Sequence, residues 1–388
     1  MSDRKLFSQE HELFRETVRR FIAQELAPHH AEWEEAGIVP RAAWTGAGAA
    51  GMLCADIDPA YGGPGADFLF NVVVIEEMAR AGITGPGFII HSEMVAPYIA
   101  GFGTEEQKRR WLPRMVSGEV IGAVAMTEPS AGSDLKAIRT TAIRQGDEYV
   151  ISGQKVYISN GQLANLAIVA CKTDPAAGAK GISLILVETG RSGFRRGRNL
   201  KKIGFKAQDT SEIFFDDVRV PCANILGEEG RGFQMLMTKL ARERLCQAVR
   251  SAAVAEAAIQ WTVDYTSGRK AFDQTVGSFQ NTRFKLAELA TKTAAGRSFV
   301  DDCIGRYLRN DLDSVDAAMA KLYTTDLHCE VVNECLQFFG GYGYMLEYPI
   351  ARAWIDARVT RIAGGAAEIM KLIIGNRLFE KQDADARR

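Results

Sequence analysis

The chain has 388 residues, room for roughly two or three domains, and is long enough to bury a core without disulfide or metal staples. Its 47 Lys and Arg against 48 Asp and Glu leave a net charge of −1, which excludes the overall basic field of a dedicated nucleic-acid binder. With 47% hydrophobic and 24% charged residues the composition is that of an ordinary globular protein, and uncharged apolar stretches such as Val120 to Met126 are far too short to span a bilayer.

The N-terminus carries Asp3, Glu10 and Glu12 and no apolar h-region, which fits neither a secretory signal nor a transit peptide and gives a cytoplasmic expectation. From Leu6 to about Gly118 apolar residues recur three and four apart, as at Leu13, Val18, Phe21 and Ile22, and then Val73, Val74 and Met78. Clusters such as Tyr61-Gly-Gly-Pro-Gly-Ala interrupt them, so the pattern predicts an N-terminal helical domain over 1–120. Within it, Gly46-Ala-Gly-Ala-Ala-Gly51 matches the dinucleotide-binding fingerprint by letter. Pro40-Arg-Ala-Ala-Trp-Thr precedes it instead of a strand, so it reads as a helix of small residues that packs closely.

From about Ile121 to Leu226 the period changes to short β-rich runs, among them Lys155-Val-Tyr-Ile-Ser, Leu166-Ala-Ile-Val-Ala and Ile182-Ser-Leu-Ile-Leu-Val, which predicts a middle antiparallel β-domain over 121–231. At its opening, Ala125-Met-Thr-Glu-Pro-Ser-Ala-Gly-Ser-Asp134 gathers hydroxyls, Pro and Gly into ten residues. Backbone amides and hydroxyls so placed can bond the edge of a heteroaromatic ring or a phosphate, and a plain polar loop is the alternative. Tyr157 and Ser159 lie two apart, hence on one face of a strand, which suits packing and bonding a flat ring.

After Gly232 Ala, Leu, Glu, Lys and Arg dominate and Pro349 is the only proline beyond Pro221, which predicts a C-terminal four-helix bundle over 232–388. Glu243 is its sharpest residue: seven positions from Leu236 and eleven from Val254, it falls within about 20° of the apolar stripe of a helix. A carboxylate there is costly unless paired or kept for proton transfer, so it is either a general base or a member of an interhelical salt bridge, with Arg242 and Arg244 flanking it. Gly340-Gly-Tyr-Gly343 follows a helical pattern and reads as a C-cap whose glycines equally admit a ligand. Seven cysteines without a Cys-x-x-Cys pair and five histidines without paired-ligand spacing predict free thiols and no metal site.

Taken together, Tyr61-Gly-Gly-Pro-Gly-Ala-Asp67, Ala125 to Asp134, Ile158-Ser-Asn-Gly161, Arg269-Lys-Ala-Phe272, Gln337-Phe-Phe-Gly-Gly341 and Glu368-Ile-Met-Lys371 resemble, in this order, the acyl-CoA dehydrogenase family over nearly the whole chain. Lys206-Ala-Gln-Asp-Thr210, Tyr348-Pro-Ile-Ala351 and Ile355-Asp-Ala-Arg358 look most like its long-chain-type branch. The resemblance implies an α+β, mainly helical fold of those three domains. It further implies a homotetramer with FAD shared across a dimer interface, and oxidation of an acyl-CoA to the trans-2-enoyl-CoA with electrons passed to an electron-transfer flavoprotein.

By the same resemblance Met126, Thr127 and Ser133 line the flavin and the pantetheine, and Tyr157 and Ser159 meet the flavin from the second loop. Arg269, Phe272, Gln280, Gln337, Gly340, Gly341 and Glu368 are implied contacts of FAD, most of them from a neighbouring subunit, and Ser133, Arg244 and Gly364 are implied contacts of the substrate. Many members carry the base in a Glu-Gly-Thr segment, which here reads Gly364-Gly-Ala366, while long-chain and isovaleryl-type members carry it in a Glu-Arg-Leu context, here Glu243-Arg244-Leu245. Glu243 is therefore the implied α-proton base, with the β-hydrogen leaving as hydride to flavin N5. Gly364 is the implied backbone donor to the thioester carbonyl, and Ala366 loses the family's hydroxyl contact to FAD. A flavin oxidase or monooxygenase on the same fold, and a non-catalytic acyl-CoA or flavin binder, are the competing readings.

Overall fold

The computed structural model describes residues 4–386, with side chains described to Glu380; Met1 to Asp3 and the last two residues, and with them part of the N-terminal reading, lie outside the described residues. Helices α1 (Gln9–Phe21), α2 (His30–Ala36), α3 (Arg41–Ala49), α4 (Phe68–Arg80), α5 (Ala96–Phe102) and α6 (Glu105–Val116) come first. Strands β1 (Gly122–Ala125), β2 (Thr141–Gln145), β3 (Glu148–Ser159), β4 (Leu166–Lys172), β5 (Ile182–Glu188), β6 (Phe194–Asn199), β7 (Thr210–Pro221) and β8 (Ile225–Leu226) follow. The long helices are α7 (Gly232–Gly268), α8 (Gln280–Leu308), α9 (Ser314–Phe339), α10 (Pro349–Thr360) and α11 (Ala367–Ala386), with a small hairpin of β9 (Lys270–Ala271) and β10 (Gln274–Thr275) before α8. By their contacts the described residues group into two compact units, one of residues 16–71 and 84–239, the other of the described residues up to 15, 72–83 and those from 240 on.

In the first unit the strands lie in the order β6-β7-β3-β2-β4-β5-β8, with β1 paired to β4. Strands β4 and β5 are buried along nearly their whole length, which is why both read as continuous apolar runs without alternation. Their side chains join Ala123, Ile151, Phe215 and Val218 in one core. The sheet is antiparallel for the most part, as the short runs predict, but β1 lies parallel to β4. Two strands are laid between them in sequence, so the chain comes back to β1 in its original direction. Gly46 and Gly48 of the fingerprint look-alike lie in α3 and Gly51 in the left-handed turn just past it; Gly48 is there for clearance, since a Cβ on it would collide with the Ser117 carbonyl group. Helix α6 opens with a capping box in which Thr104 Oγ1 accepts from the Gln107 N–H at 3.2 Å and Gln107 Oε1 from the Thr104 N–H at 3.0 Å.

In the second unit α8, α10 and α11 all pack on α9. Asp313 caps α9 by accepting from the Val315 N–H at 2.7 Å. Where four helices are expected there are five among the described residues. The short turn 361–366, with glycine at 364 and 365 in the left-handed region, separates α10 from α11. Glu76, fully buried, is held by Arg4 at 2.7 Å, Arg15 at 3.1 Å, Arg297 at 2.9 Å and Arg80 at 3.3 Å. Arg297 and Arg80 also reach Glu256, at 2.7 and 3.1 Å. Among the described residues no helix is long and apolar enough to cross a membrane, and no group of three or more His, Cys, Asp or Glu could hold a metal ion.

Candidate active site

In the sheet-bearing unit the loop from Met126 to Thr140 is pinned by one buried ion pair. Lys155 Nζ donates to Glu128 Oε1 at 2.8 Å and to the Met126 carbonyl at 2.9 Å. Glu128 in turn accepts the N–H of Arg139 at 2.6 Å and of Thr140 at 3.0 Å, and the Val156 N–H donates to the Thr127 carbonyl at 2.9 Å. Burial opposes the charge on Glu128, but the Lys155 ammonium and the N–H groups of Arg139 and Thr140 hold its carboxyl below the usual range. Met126 and Thr127 are half-buried and Ser133 is exposed. A loop so anchored presents fixed backbone groups instead of a mobile polar tip.

Strand β3 shifts register between Lys155 and Ile158, and within that shift Tyr157 takes a φ of +60°. A left-handed backbone at an aromatic residue is strained by roughly 1–3 kcal/mol and marks a side chain that is being aimed. The Tyr157 ring is 68% exposed and Ser159 half-buried, while Val156 and Ile158 beside them are buried. Tyr157 and Ser159 thus keep the solvent-side alternation that their spacing predicts. The adjacent Asn160 donates through Nδ2 to the carbonyls of Gly122 at 3.0 Å and Gly87 at 3.3 Å, and tethers the end of this strand.

In the helical unit a cavity of about 470 Å³ is lined by Tyr265, Arg269, Val276, Gln337, Phe338, Phe339, Gly340, Gly341, Tyr342 and Met345. It brings together four of the residues expected at FAD, namely Arg269, Gln337, Gly340 and Gly341. Phe272, Gln280 and Glu368 are exposed and do not line it. Phe272 is at the tip of the β9–β10 hairpin, where it and Asp273 both have positive φ, and it stands 89% exposed. Gly340, at φ +57°, closes α9, and a Cβ there or on Gly341 would meet nothing within 4 Å, so the backbone is open to close approach. Tyr265 and Phe339 stack at 4.3 Å, and the Arg269 guanidinium lies 5.7 Å from the Tyr342 ring. One cation, two bare glycines and an aromatic wall suit an anionic diphosphate with a flat ring attached.

Elsewhere in this unit α7 carries Glu243 at 3% exposure between the buried Arg242 and Arg244. Arg242 donates to the Tyr307 hydroxyl at 3.2 Å and Arg244 to the Ser314 carbonyl at 3.4 Å. Burial lowers the pKa of Arg244, and Glu243 pulls it back up. Lys321 of α9, also fully buried, donates to the carbonyls of Ala363 at 2.6 Å and Gly364 at 3.1 Å and to that of Gly365. Its pKa is pushed down to about 8, by burial first and then by Arg244, with Glu243 acting in the opposite sense. Glu243, Arg244, Lys321 and Gly364 therefore form one electrostatic neighbourhood, with a buried carboxylate and a turn of bare backbone beside a cation.

Lys321, Lys155 and Glu128 escape a reading of the sequence for site residues. Lys321 had a usable signal: Ala317, Lys321, Thr324 and His328 recur at helical spacing on the buried face of α9, by the same logic that picks out Glu243.

Three family models match in series: the acyl-CoA dehydrogenase N-terminal domain over residues 8–119, middle domain over 123–218 and C-terminal domain over 230–379. The chain is 48% identical over 377 residues to the long-chain specific acyl-CoA dehydrogenase, mitochondrial, of Mus musculus, covering 97% of this chain and 88% of that one. Among solved structures it is similar to an acyl-CoA dehydrogenase from Geobacillus kaustophilus at a TM-score of 0.95 and 46% identity, covering 97% of this chain and all of that one. It is also similar to a glutaryl-CoA dehydrogenase from Mycobacterium smegmatis in complex with FADH2, at a TM-score of 0.90 and 28% identity, covering 96% of this chain and 95% of that one.

Proposed function

Because the chain belongs to the acyl-CoA dehydrogenase family of flavoprotein oxidoreductases, we propose that it oxidises an acyl-CoA thioester between Cα and Cβ to the trans-2-enoyl-CoA. The observation that carries this is the pairing of a buried carboxylate at Glu243 with a bare turn at Gly364, where many members have their base. Glu243 takes the α-proton. The Gly364 N–H polarises the thioester carbonyl as negative charge develops on it, and Arg244, buried beside Glu243, holds the local charge balance.

Arg269, Gln337, Gly340 and Gly341 of a neighbouring subunit would hold the diphosphate end of FAD, and the Met126 to Thr140 loop of this chain, with Tyr157 and Ser159, would hold its ring. When bound, FAD accepts the β-hydrogen as hydride. A long or branched acyl chain, an electron-transfer flavoprotein as acceptor and a homotetrameric, cytoplasmic enzyme complete the reading. The name of the mouse relative and the carboxylate moved to α7 support the chain length.

The test is dye reduction by the yellow purified protein across short, long and branched acyl-CoAs, with Glu243→Gln beside it. The glutamine keeps the volume and cannot accept a proton, so kcat is expected to fall by about 10²–10⁴-fold with FAD content unchanged. Retention of more than about a tenth of wild-type kcat would make Glu243 an ion-pair member. Colourless protein that takes up no FAD would remove the cofactor assignment, and preference for a four-carbon chain would overturn the chain-length reading.

A further inference from the structure

We infer that Lys321 is a positioning residue that turns the 363–366 backbone into an oxyanion-binding surface, a role that rests on the reading of the Gly364 N–H as the thioester's donor. The ammonium is 1% exposed, and its donors converge on the carbonyls of Ala363, Gly364 and Gly365. Each of those oxygens is one end of a peptide group whose other end is the N–H of the next residue, at Gly364, Gly365 and Ala366. Among the described residues none of these three N–H groups donates a hydrogen bond, whereas their neighbours Ala363 and Ala367 donate to the carbonyls of Val359 and Arg361. One cation thus takes up the oxygen ends of three successive peptides whose nitrogen ends are left open.

The physics follows from the amide dipole. A charged donor on the carbonyl oxygen draws density out of the peptide and strengthens its N–H as a donor, by about 10–30% per bond even for neutral chains. Convergence of three successive carbonyls on one atom needs the left-handed backbone at Gly364 (φ +64°) and Gly365 (φ +94°), so the two glycines and the lysine are one device. Glu243 and Arg244 both act electrostatically on the same ammonium, so a positive charge stands behind the amides close to the base. An enolate oxygen meeting those amides would be stabilised by polarised donors with a buried cation behind them.

The proposal is tested with FAD-loaded Lys321→Met, Lys321→Gln and Lys321→Arg. Two measurements are made: turnover, and the pH at which a bound 3-oxoacyl-CoA ionises, followed by its enolate absorbance. That ligand loses its acidic α-proton without any hydride transfer, so it reads carbonyl stabilisation alone. Lys321→Met is expected to lower kcat by at least about tenfold with KM nearly unchanged, and to raise the ionisation pH of the ligand by about one unit or more. Lys321→Arg, which keeps charge and donors, falls between Met and wild type. Should the methionine variant not fold, the glutamine variant decides, since it keeps two donors without the charge. Should both fail, the arginine variant at matched FAD content decides. A ligand that ionises as in wild type in any FAD-loaded variant lacking the charge overturns the proposal, even if kcat falls. If wild-type enzyme itself leaves the ligand's ionisation at its value in water, the Gly364 reading fails instead. Normal turnover by Glu243→Gln removes the base assignment alone.

Discussion

On the proposed reading Gly364 and Glu243 divide between them the work of one glutamate, and the backbone at 364 limits how freely the carboxylate could be moved there. At Gly364 a Cβ would meet only Lys321 Nζ, at 3.8 Å, so space is available, but φ is +64°. A non-glycine residue there costs about 1–2 kcal/mol. The double variant Glu243→Gln, Gly364→Glu is therefore expected to regain part of the activity lost in Glu243→Gln while melting lower than either parent. Steady-state kcat and thermal denaturation of the four-protein cycle check this. A double variant no more active than Glu243→Gln would exclude the turn as a place from which a carboxylate reaches the α-carbon.

At the scale of elements, the loop after β1 depends on a charge pair that neither local propensity nor spacing exposes. Lys155→Met leaves Glu128 buried with only its two backbone donors and is expected to cost on the order of 3–5 kcal/mol in urea denaturation, with weaker FAD retention. Adding Glu128→Leu removes the stranded charge and is expected to recover much of the stability but not the FAD retention. Recovery of both would mean that the pair serves stability alone.

The three stretches of different period were legible because burial imposes them directly. Alternation around Tyr157, the apolar face under Glu243 and the small residues of α3 are each local consequences of packing one face. The parallel β1–β4 pair, the break between α10 and α11 and the convergence of three carbonyls on Lys321 were not legible. The strand pair sets Gly122 against Leu166, and Lys321 meets Ala363, Gly364 and Gly365 across 42 to 44 positions of sequence, a separation that no short-range pattern encodes. The helix break turns on left-handed backbone at Gly364 and Gly365, a conformation that glycine permits but does not require.

On the scale of the molecule, the Glu76 cluster makes the helical unit acid-sensitive. Burial alone would raise the Glu76 pKa, but Arg297, Arg4, Arg80 and Arg15 overcome it and hold the carboxyl at about 2, against an ordinary 4.5. Between those values the unfolded chain binds the proton and the folded one does not, so stability is full above pH 4.5 and is lost as pH falls towards 2. The expected loss is on the order of a few kcal/mol, read by urea denaturation from pH 7 to pH 3. Glu76→Gln is expected to be destabilised at pH 7 and to show a flatter acid limb. An acid limb of wild-type steepness would place the sensitivity elsewhere.

The same cluster ties together segments that are made far apart in time as well as in sequence. Arg4 bonds Asp301, 297 positions later, at 2.9 Å, and Arg15 and Glu76 cannot complete their network before Arg297 has left the ribosome. At about 5–20 residues per second, some tens of seconds of synthesis separate Arg4, Arg15 and Glu76 from the last partners of the cluster, Arg297 and Asp301. The segment that carries Arg4 and Arg15 is thus made well before the last of its partners, and in that interval it is open to chaperones and proteases.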